Sequence, residues 1–189
     1  MAARATGKRS SRAKLLRAAA TLMRESGYAA VTSRRLAAKA GLKPQLVHYY
    51  FRTMDDLFLA LFREQSAGLL EKQNKILNAK KPLREMWKVI ADPKATVLNY
   101  EFVALANHRK ALRTEVTQFM DRFRLGQINI MGQILAKKGP KALPWSPAFA
   151  SVLLASLARG LALEGALDVT AGRAETLATI DEILKQFDE

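Results

Sequence analysis

No cysteine occurs in the 189 residues. That excludes disulfides and thiolate metal sites, and it suits a reducing compartment. Histidine is nearly as scarce: His48 and His108 are the only two, too few for a His-rich metal centre. Acids are few, 17 Asp/Glu against 31 Lys/Arg, for a net charge of +14. The most apolar stretch, Ala148 to Ala158, ends at Arg159, short of the roughly 20 residues a membrane span requires. These absences predict a cytoplasmic protein with no metal, no cofactor and no membrane partner. What is present, 49% hydrophobic residues, is enough for a proper core in one large domain, or in one small and one medium domain.

The shortage of acids is not spread evenly. Residues 1–52 hold 12 Lys/Arg and a single acid, Glu25, a net +11; residues 53–189 hold 19 Lys/Arg and 16 acids, a net +3. A cationic patch concentrated in one short segment is the electrostatic footprint of a chain that grips phosphate backbone. The Arg-rich, acid-poor start also has the composition of a mitochondrial transit peptide. It continues without a seam into the helices described next, which favours the first reading.

Strand-like alternation is absent and the periodicity is helical almost throughout. Leu15, Ala19, Leu22 and Met23 share one face of a helix from about Ser11 to Ser26, which Gly27 stops. Thr32 is placed to cap a second helix, Ser33 to Ala40, ended by Gly41. Pro44 suits the first turn of a third, about Pro44 to Tyr50. A long helix from Asp55 to about Ala79 starts with two acids, which complement the positive end of its dipole. Further helices are expected from Pro82, over Lys94 to His108 and Arg109 to Lys138 with a tight break near His108, and over Pro147 to Leu167 and Gly172 to Phe187. Gly139-Pro140 and Pro144 to Pro147 mark the one clear loop.

Helices two and three read as a helix-turn-helix, whose second helix enters the DNA major groove. At its start stand Lys43, Pro44 and Gln45, with His48 and Tyr49 one turn on. Gln45 has the geometry to bond adenine at N6 and N7; Lys43 and His48 reach guanine acceptors or phosphate; Pro44 offers an apolar surface to a thymine methyl. Tyr49, Tyr50 and Arg52 are phosphate donors. Thr32, Arg34 and Arg35 lie at the start of the preceding helix, where free backbone N–H groups also favour phosphate. Leu36, Ala37, Ala40, Leu42, Leu46, Val47 and Phe51 are the expected core of the pair.

Gly27-Tyr28, Thr32, Leu36-Ala37, Ala40-Gly41-Leu42 and Tyr50-Phe51 occur together at fixed spacing. In this the chain resembles the N-terminal DNA-binding region of TetR-family transcriptional regulators, specifically over about Lys14 to Leu57 and more loosely in helix order beyond. The resemblance implies an all-α fold of about nine helices. A three-helix DNA-binding domain would occupy 1–53, with a flexible basic arm at 1–10, and a helical effector-binding and dimerisation domain would occupy 54–189. It implies a homodimeric repressor that binds a near-palindromic double-stranded operator and is released by a small effector. Two positions depart from the family pattern: His48 stands where Tyr is frequent, and Met54 where a phosphate-binding Lys is frequent, with Arg52 the obvious substitute.

In the remaining two-thirds, Val152, Leu153, Ser156, Gly160, Leu163, Leu177, Ile180 and Leu184 form apolar faces wider than one intramolecular contact needs. They are the expected four-helix dimer interface. Trp87, Tyr100, Phe102, His108, Phe119, Phe123 and Met131 are candidates to line a pocket for a hydrophobic or aromatic effector, although ordinary core is the commoner fate of such residues. Two rival readings remain. An enzyme would use His108 with Glu101 and Glu115, but no nucleophile, metal cluster or Gly-rich loop accompanies them, so no catalysis is expected. A membrane-surface protein would use the basic N-terminus, and leaves the Ala-Gly-Leu turn unexplained.

Overall fold

The computed structural model describes residues 2–138 and 145–188, with side chains described over 10–138 and 145–187. Among these residues there are nine α-helices, one 3-10 turn and no strand. The helices are α1 (Ala2–Ser26), α2 (Ser33–Ala40), α3 (Pro44–Tyr50), α4 (Met54–Ile76), α5 (Pro82–Ile90), α6 (Pro93–Ala106), α7 (Lys110–Lys138), α8 (Pro147–Ala166) and α9 (Arg173–Asp188), with the 3-10 turn at Tyr28–Ala30. The all-α expectation holds. The loop expected at Gly139-Pro140 and Pro144 lies outside the described residues.

Local chemistry sets most of the boundaries. Gly27 at φ 77° and Gly41 at φ 65° occupy backbone conformations that cost a side-chain-bearing residue energy, and each follows a helix. At Gly41 the turn closes with Leu42 N–H donating to the Ala37 carbonyl at 2.9 Å. Thr32 caps α2, its Oγ1 accepting from Arg35 N–H at 3.3 Å. Proline stands first in α3, α5, α6 and α8, where a missing N–H removes no helical bond. A reciprocal cap opens α4: Thr53 N–H donates to Asp56 Oδ2 at 3.0 Å and Asp56 N–H to Thr53 Oγ1 at 3.1 Å. That cap starts α4 at Met54, one residue before the expected Asp55. At the other end α4 stops at Ile76, three residues short of the expected Ala79. Helix α1 extends back to Ala2 where a flexible arm was expected over 1–10.

The chain forms two compact units, Met1–Ser66 with Leu98–Thr117, and Ala67–Val97 with Gln118–Glu189. This cut differs from the role-based division expected at 53/54. The first turns of α4 are tied to α6 and α7: Phe62 meets Phe102 edge-on at 5.1 Å, Arg109 pairs with Asp55 at 2.9 Å, and Arg63 pairs with Glu115. In the first unit α1 packs on α2 and α2 on α3, with Leu15, Leu16, Ala19, Met23, Leu36, Ala37, Val47 and Phe51 buried.

The second unit has its own core: Ile76, Leu83, Met86, Ile130, Met131, Ile134, Leu161, Ile180 and Leu184. Two residues expected at a dimer interface therefore belong elsewhere. Ile180 and Leu184 lie on the inner face of α9, 6% and 3% exposed, because the period of α9 turns them towards α5, on which it packs. Helix α8, with a mean hydropathy of 1.4 over its most apolar window, is long and apolar enough to cross a membrane by length and composition, which the run ending at Arg159 did not suggest. A core helix meets the same test, and a third of that window is buried.

Two stability outcomes follow. Leu184→Ala, which empties a buried site, should cost about 2–5 kcal/mol in chemical unfolding. Asp181 accepts from Lys185 at 2.8 Å and Arg84 at 2.7 Å, and these hydrogen bonds hold its carboxyl below the ordinary range. A depressed carboxyl contributes fully above its unfolded-state pKa and loses that contribution as pH falls through the lower folded value. Asp181→Asn should therefore flatten the acid limb of the stability–pH curve; an unchanged limb would remove Asp181 as its source.

Candidate nucleic-acid interface

Helix α3 has one buried anchor, Val47, 1% exposed, followed by Phe51 at 3%, just past its end. Phe51 N–H donates to the Val47 carbonyl at 2.8 Å, and the Arg12 guanidinium of α1 sits 5.4 Å from the Phe51 ring centroid. The inner edge of α3 is thus fixed from two sides. Its outer edge carries Lys43, Pro44, Gln45, His48 and Tyr49, all exposed. The sequence-derived set of base-reading residues therefore shares one exposed surface. Tyr50 is half-buried, and its ring stands edge-on to Tyr49 at 5.0 Å.

The backbone-gripping candidates divide by occupation. Arg34 and Arg52 are exposed. Thr32 is exposed, but its hydroxyl already serves as the α2 cap, and Arg35 reaches Ser26 Oγ at 3.5 Å. Glu25, the lone acid of the first 52 residues, pairs with Lys39 at 2.7 Å, so the anion in this segment is spent on a residue outside the α3 edge. Met54 receives the Ser33 hydroxyl at 3.7 Å from its sulfur. The position that departs from the family pattern therefore bridges the starts of α2 and α4 as a half-buried contact. Of the expected core, Leu36, Ala37, Val47 and Phe51 are buried, whereas Ala40, Leu42 and Leu46 are half-buried.

Glu101 has a role that sequence reasoning missed. Its Oε2 accepts from Tyr28 N–H at 2.6 Å, tying α6 to the turn after α1 and satisfying a donor that the Gly27 break leaves free. Nothing local in the sequence signals a bond across 73 positions. Its partners in the enzymatic reading are also separated: Glu115 is held by Arg63, and His108 is exposed in the turn between α6 and α7. Among the described residues no cluster of His, Asp or Glu is placed to hold a metal.

The remaining effector candidates split between the units. Tyr100 and Phe102 belong to the first, Tyr100 exposed and Phe102 buried against Phe62. Trp87, Phe119, Phe123 and Met131 belong to the second. There Phe119 and Phe123 lie 5.5 Å apart, Phe123 and Trp87 both flank Ile90, Ala155 and Ala158, and Met131 lies in the adjoining core. On the outer side of α8, Val152, Leu153 and Leu163 are exposed, together with Phe149 and Leu157; Leu177 of α9 is exposed too.

A polar-tipped helix flanked by Lys43 and Arg52 and anchored on a second helix across a glycine turn defines a helix-turn-helix DNA-binding protein. Comparison with known proteins agrees. Residues 15–61 match the model of bacterial regulatory proteins of the tetR family, so this segment is a DNA-binding region of the kind found in those regulators. It is 24% identical over 134 residues to the fatty acid metabolism regulator protein of Bacillus subtilis (strain 168), a stretch that makes up 66% of each protein. It also shares its fold with a TetR transcription regulator from Haloarcula marismortui (TM-score 0.72, 18% identity, 93% of this chain and 97% of that one). A third likeness is to FadR of Bacillus subtilis solved with stearoyl-CoA (TM-score 0.67, 14% identity, 93% and 97%).

Base-reading and backbone-gripping residues should separate in binding assays. Gln45→Ala should cost about 1–3 kcal/mol on the preferred site and little on random duplex. Arg34→Ala should weaken both equally and lower the salt slope by about one. Equal losses for the two variants on both duplexes would remove Gln45 from base readout.

Proposed function

We propose that the chain is a homodimeric repressor that binds a near-palindromic operator through α3 and leaves it when a small apolar effector binds. The observation that carries this reading is the outer edge of α3, where Lys43, Gln45, His48 and Tyr49 stand exposed over the buried Val47. The division of roles at 53/54 follows from it: DNA reading before, effector binding and dimerisation after. The cytoplasm is where such a protein meets its operator. The basic stretch 1–10 adds backbone or minor-groove contacts.

The exposed apolar face of α8, with Val152, Leu153 and Leu163, joined by Leu177 of α9, supports a two-fold interface. Trp87, Phe119, Phe123 and Met131 supply the effector wall. The likeness to a fatty acid metabolism regulator and to a structure holding stearoyl-CoA supports an effector with a long apolar body. Release requires that the effector bind the state without operator geometry more tightly than the state with it.

In-vitro selection of duplex DNA tests the reading. Enriched sequences should carry inverted half-sites spaced about 34–36 Å apart or somewhat more; no enrichment of a symmetric site would overturn it. Replacing Val152 and Leu153 together by Glu should give monomers in sedimentation and abolish binding to the symmetric site. A dimer that survives this change would move the interface elsewhere.

A further inference from the structure

Several cations of the second unit have an acceptor on the chain. Arg84 and Lys185 share Asp181, Lys138 donates to the Gln186 carbonyl, and Arg173 donates to the Leu161 carbonyl. Arg124 of α7 and Arg159 of α8 do not fit that pattern. Neither has a carboxylate partner among the described residues. Arg124 Nη1 is withdrawn from solvent and has no hydrogen-bond partner there. Burial first, and then the charge of Arg159, hold the Arg124 guanidinium below the ordinary arginine value. Two cations are thus held near each other, one partly desolvated, with no carboxylate among the described residues to neutralise them.

The surroundings have a definite chemistry. Gln127, one turn beyond Arg124, is only 3% exposed and makes no side-chain hydrogen bond among the described residues. The other buried carboxamide nearby is satisfied: Gln73 Nε2 donates to the Phe123 carbonyl at 2.8 Å. Phe123, which directly precedes Arg124, packs with Trp87 against Ala155 and Ala158, which lead into Arg159. Two guanidinium groups and a free carboxamide therefore border an apolar wall. Guanidinium is weakly hydrated and matches the two oxygens of a carboxylate or phosphoryl group with paired N–H donors.

The geometry points to Arg124 and Arg159 as the seat for the anionic group of the effector, a carboxylate or phosphoryl group whose apolar body lies along Phe123 and Trp87. The bound anion supplies the missing acceptor for Arg124 Nη1 and bridges two charges that otherwise repel. The assignment rests on the reading of the chain as an effector-responsive regulator and adds the class of effector: an anionic amphiphile rather than a neutral apolar molecule.

Thermal unfolding of the full-length protein tests it, with phosphate compared against chloride at equal ionic strength, and decanoate against decanol. In the wild type at least one anion should raise Tm beyond its control. Phosphate acting alone identifies a phosphoryl group, and decanoate a carboxylate. In Arg124→Met and Arg159→Met the concentration giving half the rise should increase about tenfold or more, and Arg124→Lys should retain part of the response. An equal rise in wild type and Arg124→Met overturns the assignment, as does no rise above the controls in either. Sedimentation of the same samples covers the other occupant, a carboxylate from a second copy: dissociation of Arg124→Met with no anion response overturns the effector seat. Sequence-selective DNA binding by the wild type without any probe is scored separately, so failure of the regulator reading is not confused with failure of the arginine pair.

Discussion

The first unit depends on burying its helix-turn-helix with apolar and small side chains alone. Leu36, Ala37 and Val47 go inward, and α1 meets them with Leu15, Leu16, Ala19 and Met23. No charged residue is used for packing along this contact, apart from the Arg12 guanidinium set against the Phe51 ring. Every cation on α2 and α3 is therefore left for the surface. Small residues such as Ala19 and Ala37 make the arrangement possible, because they let helices approach without a bulky knob. The polar edge of α3 is a by-product of that economy: what does not fit inside forms the edge proposed to read DNA.

The contacts around this core fix its orientation. Glu101 fills the donor left by the break at Gly27, the Glu25–Lys39 pair joins the end of α1 to α2, and Met54 takes the Ser33 hydroxyl. Each joins segments far apart in sequence or on different helices. An exposed pair such as Glu25–Lys39 contributes little energy on its own. The hydrogen bond from Tyr28 to Glu101 has more consequence, because it connects the turn beside the DNA-reading helices to α6.

The sequence made the local features legible. Thr32, Gly41 and Pro44 each act within four residues of their own position, so cap, turn and first helical turn could be read without knowing the fold. The exposed edge of α3 was legible for the same reason, since helical period separates Val47 from Gln45, His48 and Tyr49, and Lys43 is exposed because it precedes the first turn as the N-cap residue. What failed was everything decided by a distant partner. Ile180 and Leu184 have the same apolar character as Leu177, and only the packing of α5 on α9 tells them apart. Glu101 and Arg124 carry no local mark of their situation, because one is defined by a backbone donor 73 positions away and the other by a guanidinium nitrogen with no acceptor among the described residues.

The concentration of charge in residues 1–52 also has a kinetic consequence. A patch that binds any duplex ensures that the protein is seldom free in solution: it slides and hops along non-specific DNA, and its search for an operator is confined to the polymer itself. Under those conditions, tighter backbone contacts lengthen every stop at a wrong site as much as at the right one. Occupancy of the correct site is then governed by the ratio of specific to non-specific binding. In the proposed reading that ratio is set by the few polar tips on α3, such as Gln45, while the many cations determine how long each visit lasts.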